Sequence, residues 1–259
     1  MMKNSSVNWL QNWVPDDQVM NPDEVALWER LAQSRRAPLS SEWLGEAYSP
    51  DLSLDLRKAL CEKLGMLAER GWPVIDQLIC RHGAQPELVI AAGLCHQPVA
   101  RDWLLELLDS TADSDDDNLC VLQALSCWGA DVSSEVVKTC LQHPGQQHRL
   151  TGLQLLSFRA HTLSDDDLLD LCGDTLEDFR DPVVIAAIRV LQRRDGTAIT
   201  QRLADLCQTG SMPVCEAAFR ALGCIATAES QASLLELSQS LPDEQRRKLA
   251  CKQLDQQFR

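Results

Sequence analysis

The stretch SMPVCEAAFRALGCI, residues 211–225, decides how the chain folds, because this alanine-rich helical segment has counterparts along nearly the whole sequence. Each counterpart pairs small residues with a leucine four or five positions later. Those leucines recur at intervals of 30 to 35 residues, at Leu64, Leu94, Leu125, Leu156, Leu191, Leu222 and Leu254. A period in this range is typical of a helical solenoid, in which each helix pair buries its apolar face against the neighbouring pairs.

A second amphipathic segment lies between each two leucine anchors, for example VARDWLLELL at 99–108 and AITQRLADLC at 198–207. Strand signals are nearly absent, since the chain has one Tyr, four Phe and few alternating apolar runs. The small residues of the anchor segments allow neighbouring helices to approach closely, because short side chains leave little between the backbones. The sequence therefore predicts an all-α solenoid.

Three segments resemble HEAT-like repeats: LSLDLRKALCEKLGML, RDPVVIAAIRVLQ and SMPVCEAAFRALGCI. Asp181-Pro182 matches the family's turn, Arg57 its arginine, and Leu64-Gly65 and Leu222-Gly223 its helix end. The pattern departs from the family in two repeats, where Ile185 and Cys215 or Glu216 stand at the arginine position. The resemblance covers residues 45–255. It implies a right-handed solenoid of about six to seven HEAT-like helix pairs in residues 45–259, preceded by an N-terminal helical cap or arm in residues 1–44.

The N-terminal region contains a well-marked helix, NPDEVALWERLA. Asn21 is placed to cap it, Pro22 is at its first position, and Glu24 is placed to reach back to the cap. Before this helix, Trp9 and Trp13 fall on one helical face. This segment either caps the first repeat of the solenoid or forms a tryptophan-bearing arm that docks on a partner.

The composition restricts the partners and the location of the protein. Lys and Arg total 24 against 38 Asp and Glu, a net charge of −14, which disfavours a nucleic-acid surface and an anionic bilayer. Residues 1–129 carry 20 of these acidic side chains. The chain shows no secretory signal and no apolar run near 18 residues, and its eleven cysteines are irregularly spaced. We therefore predict a cytoplasmic protein with no nucleic-acid partner and no membrane insertion.

The cysteines are predicted to be small core residues. Cys215 and Cys224 are nine residues apart, so in a helix they lie on opposite faces and cannot share a metal or a disulfide. The same core role is predicted for Cys61, Cys140, Cys172, Cys207 and Cys251. A cluster of Cys80, His82, Cys95 and His96 lacks the paired spacing of structural zinc sites. The acidic run at 165–167 lacks a calcium-loop pattern and is predicted to begin a helix capped by Ser164. We predict no metal and no cofactor.

Polar side chains that interrupt the small-residue helices are predicted to contact a partner, because they are not expected in the core. These residues, together with the two early tryptophans, are Trp9, Trp13, Arg57, Lys58, Glu87, Arg149, Arg189, Glu216 and Arg220. We predict a non-catalytic scaffold or adaptor that binds another protein with the concave face of the solenoid and its Trp-rich N-terminal half. A basic or amphipathic segment of that partner would suit the acidic first half.

Two other functions stay open. The repeats also resemble those of bilin lyases and related phycobilisome proteins, which would imply an enzyme or a chaperone that handles a linear tetrapyrrole. No residue of this sequence is identified with that activity, no catalytic residue is predicted, and binding is favoured over catalysis. The chain could also be a dedicated assembly or immunity-type subunit that masks one partner.

Overall fold

The computed structural model describes residues 22–35, 37–110, 115–129 and 132–257. Within these ranges the chain is helical and has no β-strand. The α-helices are α1 (Pro22–Ala32), α2 (Ser41–Ala47), α3 (Leu54–Met66), α4 (Trp72–His82), α5 (Pro86–Leu94), α6 (Pro98–Ser110), α7 (Asp115–Trp128), α8 (Ser134–Gln142), α9 (Gln146–Arg159), α10 (Asp165–Leu176), α11 (Asp181–Leu191), α12 (Thr197–Thr209), α13 (Met212–Ile225), α14 (Ala228–Ser240) and α15 (Glu244–Gln257).

The helices from α2 onward form two layers of stacked helix pairs. In one layer each odd-numbered helix contacts the next odd-numbered helix, without a break from α3 to α15. Even-numbered helices lie behind them and contact their odd-numbered neighbours in the chain. Contacts within the even-numbered layer are less extensive. They join α2 to α4, and they run from α8 through α10 and α12 to α14. This stacking confirms the predicted all-α solenoid and agrees with the resemblance to HEAT-like repeats.

Small residues allow the odd-numbered helices to pack closely. Gly65 of α3 faces Ala91 of α5, where an added Cβ would lie 2.8 Å from the Ala91 carbonyl oxygen. Gly93 of α5 faces Ala124 of α7, where an added Cβ would lie 2.8 Å from the Ala124 Cα and closer still to its carbonyl oxygen. Backbone atoms cannot move aside as flexible side chains do, so these two glycines set the approach of α3, α5 and α7.

Most of the predicted leucine anchors lie in one continuous core. Leu64, Leu125, Leu156, Leu191 and Leu222 are fully buried. Leu94 is only half-buried, because the adjacent Cys95 occupies the core position at the end of α5. Leu254 is also half-buried, since α15 has no following helix pair in the described part of the chain to cover it.

Polar side chains bond consecutive repeats to each other at the repeat spacing. Each bond joins residues 29 to 32 positions apart, and the pairs are Glu24–Ser53, Arg57–Glu87, Arg149–Asp178, Asp165–Arg194, Asp181–Ser211 and Thr197–Glu229. Arg57 is the only member that matches the family's arginine position. The other bonds form between the ends of helices, so a polar ladder exists here although Ile185 replaces an arginine of the family pattern.

The N-terminal helix begins at Pro22, as predicted, and contacts α3. The predicted cap residue Asn21 lies outside the described residues, so the return contact of Glu24 to it stays a prediction. The Glu24 carboxylate accepts hydrogen bonds from the Ser53 amide at 2.8 Å and the Ser53 hydroxyl at 2.7 Å, at the start of α3. Trp9 and Trp13 lie outside the described residues. The predicted division between residues 44 and 45 falls within α2 and stays a prediction.

Candidate binding surface

In the described part of the chain, no helix covers one side of the odd-numbered helices, and we call this side the open face. Each central odd-numbered helix is covered on both flanks by odd-numbered neighbours and behind by the even-numbered layer, so only one stripe of each helix remains accessible. Side chains of the central stripes are Gln123 on α7, Leu150, Gln154 and Phe158 on α9, Pro182, Ile185 and Arg189 on α11, and Glu216, Arg220 and Cys224 on α13. Their spacing of three or four residues is that of one helix face.

From α7 to α15, one row of the open face presents a polar side chain on each odd-numbered helix. The row contains the residue two positions before the anchor leucine: Gln123, Gln154, Arg189, Arg220 and Lys252. Gln123 is half-buried and the other four side chains are exposed. The row therefore changes from neutral amides on α7 and α9 to cations on α11, α13 and α15.

A second row, one helical turn earlier, is mainly apolar. It contains Leu119, Leu150 and Ile185, which are half-buried, and ends at the exposed Glu216 of α13. Helix α9 contains no Asp or Glu at all, and the single carboxylate of α11, Asp181, accepts a hydrogen bond from Ser211. In a chain with 38 acidic residues, this part of the open face is unusually poor in negative charge.

Four of the predicted contact residues are exposed on odd-numbered helices. Lys58 lies on α3 and Arg189 on α11, and neither has an ion-pair partner among the described residues. Glu216 and Arg220 lie one turn apart on α13 and form a solvent-exposed pair at 3.0 Å. The structure brings Arg189, Glu216 and Arg220 onto neighbouring helices and leaves Lys58 at the other end of the layer. Contact of these residues with a partner stays a prediction.

The other described contact residues are engaged inside the protein. Arg57 donates to the Glu87 carboxylate at 2.6 Å, and only 4% of Glu87 is exposed. Arg149 donates to the Asp178 carboxylate at 2.8 Å and to the backbone carbonyl of His143. The premise that polar residues of the small-residue helices lie outside the core is therefore wrong for Glu87. These side chains connect repeats, which explains their presence without a partner.

Glu87 is the centre of a buried polar cluster between α2, α3 and α5. One carboxylate oxygen, Oε1, accepts hydrogen bonds from both the Tyr48 hydroxyl, at 2.9 Å, and Arg57. The second oxygen, Oε2, and the Arg57 Nε are buried without a hydrogen-bond partner. Burial raises the pKa of the Tyr48 hydroxyl, and the bond to Glu87 raises it further, because an ionised tyrosine could not donate that bond.

A second ionic cluster fixes the loop between α10 and α11. Asp178 accepts from Arg149, from the Arg180 guanidinium and from the Arg180 backbone amide. The bond from Arg180 is the main reason that the pKa of Asp178 falls to about 2. Between them Phe179 is 89% exposed, with the Arg180 guanidinium 4.8 Å from its ring centroid. The loop therefore holds a large apolar side chain in solvent.

Burial confirms the core role of most of the singled-out cysteines. Cys215 is buried and Cys224 is exposed, so the two thiols face opposite sides of α13 as predicted. The cysteines that lie in the core are Cys61, Cys95, Cys140, Cys172, Cys207 and Cys215. The core prediction was wrong for Cys224, which is exposed on the open face, and for Cys251, which is exposed because α15 ends the described layer. Among the described residues, no group of three or more His, Cys, Asp or Glu could hold a metal ion.

The thiols are expected to divide into a fast and a slow class when the folded protein reacts with dithiobis(nitrobenzoate) at pH 8. Exposed Cys80, Cys224 and Cys251 should react rapidly. The core thiols should react only in urea, because burial raises the pKa of Cys140 to about 11 and that of Cys172 to about 12, and the thiolate is the reactive form.

The control is a variant with serine at the three exposed positions. It should lose the fast phase and retain the eight other thiols of the eleven in urea. A fast phase of six or more thiols in the original protein would contradict the burial of the core set.

Sequence reasoning missed the glutamines of the open face and the exposed phenylalanines. Gln123 and Gln154 are not among the predicted contact residues, although both share the register of Arg189 and Arg220. Phe158 is 43% exposed beside the same stripe. Phe158 lies two residues after the anchor Leu156 and one helical turn after Gln154, so the sequence pattern places it on the same helix face as Gln154.

No helix among the described residues combines the length and apolar character needed to cross a bilayer. The predicted cytoplasmic location stays a prediction.

Comparison with known proteins finds structural likeness at low sequence identity. No protein-family model matches the chain, and no curated protein matches it in sequence. It is similar to the complex of CpcE and CpcF of phycocyanin lyase from Nostoc sp. PCC7120, with 15% identity and a TM-score of 0.45 over 95% of this chain and 98% of that chain. It is also similar to a designed armadillo repeat protein, with 17% identity and a TM-score of 0.39 over 84% and 99%. The fold assignment therefore rests on this chain's own helix contacts.

Proposed function

We propose that this protein is a non-catalytic scaffold that binds another protein through the open face of its odd-numbered helices. The observation that carries the proposal is the continuous strip of accessible amide and apolar side chains on α7, α9 and α11, including Gln123, Leu150, Gln154 and Ile185. Such a strip offers apolar contact area together with hydrogen-bonding groups, which is the usual composition of a protein-binding surface. Repeat stacking extends this surface along several helices.

The proposed partner segment is amphipathic. Apolar side chains of that segment would cover Leu150 and Ile185, and its polar side chains would meet the row that contains Gln154 and Arg189. A helix with apolar residues on one face satisfies both requirements at once, because residues three and four apart share a face. The alternative, a basic partner segment, follows from the acidic first half of the sequence. It depends on the net charge and not on the side chains of this strip.

Site-specific photo-cross-linking tests the proposal. We would place benzoylphenylalanine at Gln154, on the open face, and at Asp170, an exposed position on α10 of the even-numbered layer. In lysate of the source cells, the protein labelled at position 154 should give a discrete cross-linked product, and the matched protein labelled at position 170 should give none. Products from position 170 alone would contradict the open face as the binding surface.

The same experiment distinguishes the remaining functions. One stoichiometric product would favour a dedicated assembly or immunity-type subunit, and several products would favour an adaptor. A visible absorbance band in the eluted protein would support the handling of a tetrapyrrole and count against a scaffold that binds only proteins.

A further inference from the structure

The C-terminal half of the open face carries exposed arginines that are accessible to a partner. Arg189 is exposed and has no ion-pair or hydrogen-bond partner among the described residues. Arg193, one turn later, is exposed and donates from Nη1 to the Ser157 carbonyl oxygen, which leaves its other donors accessible. Some other arginines of the chain connect repeats, as Arg149 and Arg194 do. Arg189 therefore has no structural role that would account for its charge.

The neighbouring repeat adds a second available cation. The Arg220 side chain is 62% exposed and pairs only with Glu216, one turn earlier on the same helix and 51% exposed. Solvent-exposed pairs of this kind contribute little to stability, so a partner carboxylate can replace Glu216 at little loss. Arg189 and Arg220 occupy the same register on adjacent helices, and Lys252 continues the row on α15.

Apolar side chains lie directly beside these cations. Leu150 and Ile185 are half-buried in the adjacent row, and Phe158 is exposed at the end of the α9 stripe. Arg193 lines a cleft of about 220 Å³ together with Ser157, Phe158 and Arg194. A ligand that follows the strip therefore meets an apolar surface bordered on one side by guanidinium groups.

Other parts of the surface carry the opposite charge. The outer side of α10 presents exposed carboxylates at Asp166, Asp167, Asp170 and Asp174. The net charge of −14 repels an acidic ligand from most of the molecule, whereas the arginine row attracts it at short range. Electrostatic complementarity of this kind selects the partner and orients it more than it adds affinity.

We propose that the segment bound by the open face is acidic and amphipathic. This inference rests on the proposed function and adds the charge of the partner to it. The apolar side chains of the segment pack on Leu150 and Ile185, and its carboxylates pair with Arg189 and Arg220. Arginine suits this task, because its planar guanidinium can bind a carboxylate with two parallel hydrogen bonds. These residues therefore favour a negatively charged partner segment, whereas the net charge of the chain alone favours a basic one.

Two fluorescein-labelled peptides test the inference by fluorescence anisotropy with the full-length protein. Both are 18-residue amphipathic helices with the same leucine positions, and the polar face carries glutamate in one and lysine in the other. We expect the glutamate peptide to bind the original protein at least tenfold more tightly than it binds the Arg189→Glu/Arg220→Glu variant. Added salt should weaken its binding to the original protein. The matched control, Arg101→Glu/Arg202→Glu, changes the net charge equally on the even-numbered helices α6 and α12.

The possible outcomes separate the inference from the proposed function. Loss of glutamate-peptide binding in the open-face variant alone, with unchanged melting temperature, supports the inference. Equal loss in the control variant, tighter binding of the lysine peptide, or binding of neither peptide overturns the acidic segment. Cross-linking at Gln154 does not depend on either arginine, so the scaffold function stands if that product forms while the peptide result is negative. Absence of the product at Gln154 defeats the proposed function itself.

Discussion

Replacing Gly93 with alanine is expected to lower the free energy of unfolding by about 3 kcal/mol, because the new methyl group has no space between α5 and α7. The added Cβ would lie 2.8 Å from the Ala124 Cα and 2.7 Å from the Ala124 carbonyl carbon. Those atoms belong to the backbone of α7, so relief requires the two helices to separate. The gain in helix propensity, about 1 kcal/mol for alanine over glycine, offsets only part of this loss.

Urea unfolding followed by circular dichroism measures this effect, and Gly173→Ala is the matched control. Gly173 lies within α10, where an added Cβ has no neighbouring atom within 4 Å. There the same substitution should raise the free energy of unfolding by about 0.5–1 kcal/mol, because alanine favours the helix and restricts the unfolded chain. If the two variants behave alike, Gly93 does not set the distance between α5 and α7.

The unfolding transition of Gly93→Ala should also become broader. In a solenoid the repeats are coupled mainly through contacts with their nearest neighbours. The contact of α5 with α7 joins the first helix pairs to the rest of the odd-numbered layer. Weakening it should allow the two sides to unfold in separate steps, which a second probe such as tryptophan fluorescence would detect as a transition that no longer coincides with the loss of helix.

The repeat period was sufficient to predict the fold, because the same burial pattern is imposed in every repeat. Leu125, Leu156 and Leu222 lie in the core for that reason. The period could not predict the rotation of each helix, since neighbouring positions differ by about 100° around the helix axis. At the end of α5 both Leu94 and Cys95 are apolar, so either could face the core. Packing of α5 against α3 and α7 decides for Cys95, and this depends on contacts that lie in other repeats.

The polar residues were harder to predict, because burial of a charge depends on its partner. Glu87 and Arg57 are 30 residues apart, close to the repeat spacing, and this interval was a signal that they could meet. Considered singly, a charged residue in a small-residue helix suggests exposure, as it correctly does for Arg189 and Arg220. The interval alone does not separate the buried pair from the exposed residues, because the exposed Lys58 is also 29 residues from Glu87. Burial of Glu87 depends on how α2, α3 and α5 pack around it.

Replacing Glu87 with alanine is expected to lower the free energy of unfolding by about 4 kcal/mol, because it leaves Arg57 without its buried partner. It also removes the acceptor of the Tyr48 hydroxyl and creates a cavity where α2, α3 and α5 meet. The measurement is urea unfolding at pH 7. The matched control is Glu216→Ala, which breaks the exposed ion pair with Arg220, one helical turn away. It should change the free energy of unfolding by about 0.5 kcal/mol or less.

A double variant distinguishes a structural role of Glu87 from a role in partner binding. If Glu87 serves only to connect the repeats, replacing both Arg57 and Glu87 with methionine should restore most of the stability lost in Glu87→Ala, because an apolar pair needs no charge compensation. Such a double variant should also retain the Gln154 cross-link to the partner. If stability recovers but the cross-link is lost, Glu87 or Arg57 acts in binding as the sequence first suggested. A stability change in Glu87→Ala no larger than that in Glu216→Ala would instead mean that the Glu87 carboxylate is accessible in solution. It would contradict the buried bond between Arg57 and Glu87.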